Sequence, residues 1–262
     1  MNPESLNTQK QMKSLSKAID TINAVAEAGS AGIRELSTIT GYPPSTIHRI
    51  AATLAERHYF QQDPITKQYS LSFRFLELGT RVQQKFHLTS IARPHIERLM
   101  DKTRESVNLA VRDGDSMVYL DIAQSNHSIL QLFTRPGARV PLYATGEGKL
   151  FLSKMQESEL NAYLERSEIT PFTPYTLVEK DKIIKDLERI RSQGYSVDNE
   201  EMEEGVRCVA ALIFDHQGKP AASVSIAGAA MRVTPDRIKL FGNLVNNCAL
   251  AISRQLGYTP AN

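Results

Sequence analysis

The sequence predicts an α+β chain in two parts, a small three-helix unit closed by a hairpin and a larger sheet-and-helix domain. Three observations carry this. Before residue 58, apolar residues recur at helical spacing in three short runs, with glycine and proline at their ends. A polar turn at Asp63-Pro64 then separates two strand-like runs. Beyond residue 105, β-rich runs mix with longer helical ones, the pattern of a mainly antiparallel sheet packed on helices.

Composition bounds the rest. With 262 residues, 41% hydrophobic and 23% charged, the chain has room for two modest domains. No apolar run approaches the roughly 20 residues of a membrane span, so no membrane partner is expected. The opening MNPESLNTQKQMK lacks the apolar core of a signal peptide. Cys208 and Cys248 are the only cysteines and lie far apart, which argues against a disulfide framework or zinc knuckle. A cytoplasmic protein with reduced thiols is expected. The net charge of +2 does not by itself indicate nucleic acid.

Residues 1–11 read as a disordered tail, and 12–74 as one unit. SLSKAIDTINAVAEAG places Leu15, Ala18, Ile19, Ile22, Val25 and Ala26 at helical spacing before Gly29. A shorter helix follows in GIRELSTITGY, with Ile33, Leu36 and Ile39 as its stripe. Gly41 then turns the chain into Pro43 and Pro44, both expected in the first turn of a third helix, where missing N–H groups cost nothing. Ile47, Ile50, Ala51 and Leu54 form the inner face of that helix and leave Ser45, Thr46, His48, Arg49 and Thr53 outside. Two short helices, a glycine turn and a third helix with a polar N-terminal half make a helix-turn-helix.

YFQQDPITKQYSLS then reads as a hairpin with Lys67 at or near its tip, either a wing reaching phosphate or a lid on the helices. Double-stranded DNA is the expected partner. Ser45 and Thr46 would meet phosphate or base edges beside the free N–H groups of the helix start. Arg49 suits a guanine or a phosphate, while His48 would bond a base or remain solvated. Through residue 80 there are 8 Lys+Arg and 7 Asp+Glu, a balance of +1. Specific binding therefore calls for two copies of the unit on a near-palindromic operator.

LSFRFLELGTRVQQKF carries Phe75, Leu76, Val82 and Phe86 at broadly helical positions, interrupted by Gly79. A linker helix over 75–92 is expected, its stripe either pairing with a second subunit or packing within one. A new helix is expected at Pro94, within a second domain spanning 93–260. SVNLAVRDGDSMVYLDI has the form of a hairpin around Asp113-Gly114. ILQLFT reads as a third strand, and TGEGKLFLSKM turns into a helix. Further helices fit ESELNAYLER and EKDKIIKDLERIRSQG, and RCVAALIFD and PAASVSIAG are strands. Thr234 caps a last helix with Pro235 at its first position.

Several stretches imitate catalytic motifs. TGEGK lacks the GxxxxGK[ST] spacing of a phosphate loop. SLSK matches a Ser-x-x-Lys pattern but opens a helix, where a cap explains it. DNEEMEEG clusters carboxylates without histidine, as solvated loops do. The six histidines never pair at ligand spacing. With no nucleophile–base set, neither an enzyme nor a cofactor is expected, and no metal site is indicated.

SLSKAIDTINAVAEAG...GIRELSTITGYPPSTIHRIAATL resembles the DNA-binding domain of the IclR family of bacterial transcriptional regulators. The resemblance continues through VPLYATGEGKLFLS, GYSVDNEEMEEGVRCVAALIFD, SVSIAGAAMRVTPDRI and AISRQLGY. It implies a winged helix-turn-helix, a linker helix, a GAF/PAS-like α/β sensor domain, and assembly as a dimer or tetramer. It also implies an effector pocket, which maps here onto Gly146, Glu147, Asp198, Cys208, Ser225 and Ala227. Cys208 and Ser225 keep the residue types of glyoxylate-binding members, with ordinary strand packing as the alternative reading. Glu147 and Ala227 depart from alanine and serine. A carboxylate at the pocket mouth and a lost hydroxyl would disfavour small dianions and keto acids, so a larger, less charged effector is expected, aromatic compounds among them. A ligand-binding sensor without DNA binding is the alternative function.

Overall fold

The computed structural model describes residues 12–85, 88–125 and 135–259, apart from the side chains of 82–85. The chain divides after Lys85 into two compact units.

In the first unit, α1 (Lys13–Ala28), α2 (Ile33–Thr40) and α3 (Pro44–Glu56) surround Val25, Leu36, Ile47 and Ala51, all inaccessible to solvent. A two-residue strand, β1 (Ser30–Ala31), joins β2 (Phe60–Gln62) and β3 (Tyr69–Leu71) in an antiparallel sheet of order β1-β3-β2. Phe60 and Tyr69 close the core from below. Only Pro44 enters the first turn of α3. Pro43 holds the N-cap position at φ −54, ψ 142, because a residue preceding proline is driven from the helical region by the following ring.

The helix α4 (Phe73–Lys85) runs unbroken through Gly79. Phe75 meets Tyr59 edge-on at 5.4 Å, while Phe73 and Leu76 are 78% and 64% exposed. On α1, the Leu15 and Ile19 positions of the predicted stripe are likewise exposed, and Thr21 and Ala24 are buried in their place.

In the second unit, the predicted helix at Pro94 begins earlier, as α5 (Leu88–Thr103), with Pro94 inside it. Leu88, Ala92, Ile96, Leu99 and Thr103 make one continuous buried stripe, and Pro94 sits on the exposed side. Packing along that stripe outweighs the lost backbone bond. The expected linker span of 75–92 takes in most of α4 and the first turn of α5. The predicted strand at ILQLFT lies outside the described residues.

A six-stranded antiparallel sheet, β4 (Ser106–Asp113), β5 (Ser116–Ala123), β6 (Arg139–Pro141), β7 (Ser196–Asn199), β8 (Val206–Phe214) and β9 (Pro220–Ala229), has the order β6-β5-β4-β9-β8-β7. Strand alternation splits it between two cores. Val107, Leu109, Val209, Ala211, Val224 and Ile226 face α5 and α9 (Pro235–Gln255). Ala110, Met117, Tyr119, Ala210 and Leu212 face α6 (Gly146–Lys154), α7 (Glu157–Arg166) and α8 (Lys180–Gln193). Thr234 holds the N-cap of α9, though its side chain makes no capping bond.

One close approach sets the position of α6. A Cβ on Gly148 would lie 2.3 Å from the Leu142 Cα and carbonyl oxygen, so only glycine lets the first turn sit against that backbone. Thr145 caps the helix, its Oγ1 accepting from the Gly148 N–H at 3.2 Å.

Candidate functional site

The turn before α3 is tied at several points. Gly41 takes the left-handed conformation at φ 72 and donates to the Ser37 carbonyl at 3.0 Å. Ser37 Oγ donates to the Tyr42 carbonyl at 2.6 Å, and the Tyr42 hydroxyl to Asp20 at 2.5 Å. Lys17 lies over the Tyr42 ring, 5.1 Å from its centre.

On the helix so anchored, Ser45, His48 and Arg49 are exposed and Thr46 is half-buried. Among the described residues none of their side chains has a hydrogen bond or ion pair. Thr46 and Arg49 share a groove with Lys13 and Lys17 of α1, which the sequence reading did not single out. Their signal was the i, i+4 spacing of two lysines at the open end of a helix.

Lys67 stands in the hairpin turn with φ 59, exposed beside Asp63. Asp63 Oδ1 accepts from the Ile65 and Thr66 N–H groups at 2.8 and 2.7 Å, which holds its pKa below the usual value and stiffens the turn. Ile65 projects from the tip, 89% exposed.

In the second unit, strand register gathers the other predicted residues. Asp198, Cys208, Ala227 and Ser106 form one row across β7, β8, β9 and β4. Ser196, Ala210, Ser225 and Asn108 form the next row on the same face. A cavity of about 350 Å³ opens between these rows and the start of α6. Glu147, Asp198, Cys208 and Ala227 line it, with Tyr119, Val140, Thr145, Met202, Glu203 and Val206, which the sequence reading did not name. Period-two alternation in β5, which sets Tyr119 on the face of Met117, was the available signal for the tyrosine.

Gly146 and Ser225 stand behind the wall. The Gly146 carbonyl accepts from Ser196 Oγ at 2.6 Å. Ser225 is fully buried and donates to Glu147 Oε1 at 2.5 Å, while accepting from Asn108 Nδ2 at 3.3 Å. Its hydroxyl is thereby committed within the protein. Glu147, expected at the mouth, is 2% exposed because the first turn of α6 points it into the sheet. Burial pushes its pKa up, and the Ser225 hydroxyl only partly opposes this.

The DNEEMEEG stretch, expected as a solvated loop, begins inside β7 and supplies two buried carboxyls. Asp198 is 3% exposed and its pKa is pushed up to about 7, chiefly by burial. Asp198 Oδ1 accepts from the Glu201 N–H at 2.7 Å and from Met202 at 3.4 Å. Glu201 bonds the fully buried Lys149, whose Nζ reaches Glu201 Oε1 at 2.5 Å, Asp186 Oδ2 at 2.9 Å and the Val197 carbonyl at 2.8 Å. Burial opposes the lysine's charge, but Glu201 and Asp186 outweigh it and raise its pKa. Burial also drives the Cys208 thiol and the Tyr119 hydroxyl well above their usual values, so both stay protonated. The described residues contain no group of three side chains able to hold a metal ion.

A model of the IclR helix-turn-helix domain matches residues 14–64, and one of the bacterial transcriptional regulator IclR C-terminal domain matches residues 80–254. The chain belongs to the IclR family. This IclR-family chain is 32% identical over 251 residues to the HTH-type transcriptional regulator KipR of Bacillus subtilis (strain 168), covering 96% of this chain and all of that one. The crystal structure of the Thermotoga maritima IclR superposes with a TM-score of 0.78 at 35% identity, over 94% of this chain and 100% of that one. An IclR homolog from Microbacterium hydrocarbonoxydans, solved in complex with 4-hydroxybenzoate, superposes with a TM-score of 0.81 at 19% identity, over 93% and 98%. That last likeness is one of fold. No helix among the described residues is long and apolar enough to cross a membrane.

Proposed function

We propose that the chain is a sequence-specific DNA-binding transcriptional regulator whose operator binding responds to a small organic effector held in the sheet-side cavity. The observation that carries this reading is the N-terminal half of α3, whose polar side chains, exposed except for the half-buried Thr46, find no partner within the described residues. A helix start with idle donors is suited to phosphate and base edges. Arg49 offers a guanidinium for a guanine or phosphate, Ser45, Thr46 and His48 contact beside it, and Lys13, Lys17 and Lys67 bracket the helix for backbone phosphates.

The +1 balance of the first 80 residues keeps the non-specific affinity of one copy low, so two copies act on a near-palindromic site. Exposed Leu15, Ile19, Phe73 and Leu76 supply apolar surface for such a dimer, or for a tetramer built from two dimers. The cavity supports an effector role by its size, at the lower end of small-molecule pockets, and by its mixed apolar and polar wall. The family relative solved with 4-hydroxybenzoate supports an aromatic occupant.

A gel shift with the intergenic DNA beside the encoding gene tests the reading. Selective retardation over an unrelated duplex, lost in Arg49→Ala, is expected. Equal binding to both duplexes would leave a sensor without operator recognition.

A further inference from the structure

The cavity walls carry an uneven set of charges. Glu147, Asp198 and Glu203 line it, and among the described residues no lysine, arginine or histidine does. Glu147 and Asp198 are 2% and 3% exposed, so water does little to screen them. Each has one oxygen engaged inside the protein, Glu147 Oε1 with Ser225 and Asp198 Oδ1 with two backbone N–H groups. The second oxygen of Asp198 accepts no hydrogen bond among the described residues, and besides Ser225 the Glu147 carboxyl is met only by its own backbone N–H.

Lys149, whose charge reaches Asp198, cannot balance them by contact. Lys149 has three N–H donors, and Glu201, Asp186 and the Val197 carbonyl take all three. A buried carboxyl without a counter-charge is costly, and the cost is relieved when a cation arrives with donors for its idle oxygens. Tyr119 adds a ring and a hydroxyl that stays protonated, while Val140, Met202 and Val206 give an apolar wall for the rest of the molecule.

We propose that the effector is an organic ammonium ion, a primary or secondary amine on a short apolar or aromatic body, its nitrogen donating to Glu147 and Asp198. This inference rests on the reading of the cavity as the effector site and narrows its ligand class. An organic anion meets two desolvated carboxyls and no cation among the described lining residues, and ionisation of either carboxyl disfavours it further. The ammonium favours the ionised carboxyls, and because the Asp198 pKa is pushed up to about 7, its binding releases a proton there near neutral pH.

Three probes with one body separate the possibilities: tyramine, 4-hydroxyphenylethanol and 4-hydroxyphenylacetate, which carry ammonium, hydroxyl and carboxylate. Titration calorimetry on the full chain at pH 7, in two buffers of different ionisation enthalpy, reads affinity and proton release together. Tyramine is expected to bind at least tenfold tighter than the carboxylate, with proton release. The isosteric Glu147→Gln and Asp198→Asn should each cut that preference at least fivefold, and Ala227→Leu, which fills the cavity, should abolish binding. Equal or tighter binding of the carboxylate, still abolished by Ala227→Leu, overturns the charge inference and keeps the cavity as an effector site. Binding of none of the three at millimolar concentration, or binding unaffected by Ala227→Leu, overturns both.

Discussion

Replacing Asp198 by asparagine should stabilise the larger unit, and by an amount that grows with pH. Asparagine mimics the neutral acid, and its Oδ1 can keep both bonds from the Glu201 and Met202 N–H groups. The side chain's pKa rises from 3.8 to about 7 on folding, mainly through burial; Glu201 and Glu147 add to the rise and Lys149 opposes it. The native state therefore holds a proton that the unfolded chain gives up near pH 4. Stability from this group is lost as pH climbs from about 4 to 7, and above that range the native state carries the full cost of the charge. At about 1.4 kcal/mol per unit, the cost is roughly 2 kcal/mol at pH 5 and about 4 kcal/mol above pH 7. For a domain of this size the larger figure corresponds to a rise in Tm of about 10 °C. With no tryptophan in the chain, scanning calorimetry at pH 5 and pH 8.5 is the assay. A gain that is the same at both pH values, or a variant less stable than wild type at pH 8.5, would refute the reasoning.

Three further outcomes follow from the same structure. Arg49→Ala should cost about 1–3 kcal/mol of operator affinity and relax preference at one position per half-site, whereas Lys67→Ala should weaken all duplexes alike and lower the salt slope by about one unit; anisotropy titrations across salt concentrations separate the two. Leu76→Asp, on a side chain 64% exposed, should leave the helix content of the chain unchanged by circular dichroism and shift the sedimentation profile towards monomer. Gly148→Ala should destabilise the larger unit by about 3 kcal/mol or more, because its Cβ meets backbone at 2.3 Å, and chemical denaturation would read that loss directly.

The helix-turn-helix was legible because its parts are local: glycine and proline punctuate helices whose inner residues repeat at 3.6. The register that places Asp198 beside Cys208 and Ala227 is not local, and β7 is four residues long, too short for its alternation to stand out from the acidic run that follows. Acidic side chains read as solvated unless a partner is known, and the partner of Glu201 is Lys149, 52 positions away in the chain. Glu147 was misplaced for the same reason. Its helical position was legible, but its depth depends on Gly148 bringing α6 against the Leu142 backbone. Pro94 misled because a helix interior seldom tolerates proline, and here a five-residue buried stripe holds the helix through it.

The central claim is that occupancy of the cavity changes the grip of α3 on DNA. Its most direct test is the operator Kd of the full chain with and without saturating tyramine, or 4-hydroxyphenylacetate should the acid bind tighter, in wild type and in Ala227→Leu. A ligand can shift the equilibrium only through unequal affinity for two states, and such coupling commonly amounts to about 1–3 kcal/mol. The account predicts a change in operator Kd of about fivefold or more in wild type and none in Ala227→Leu. An operator Kd unmoved by a ligand that calorimetry shows to saturate the cavity would contradict it.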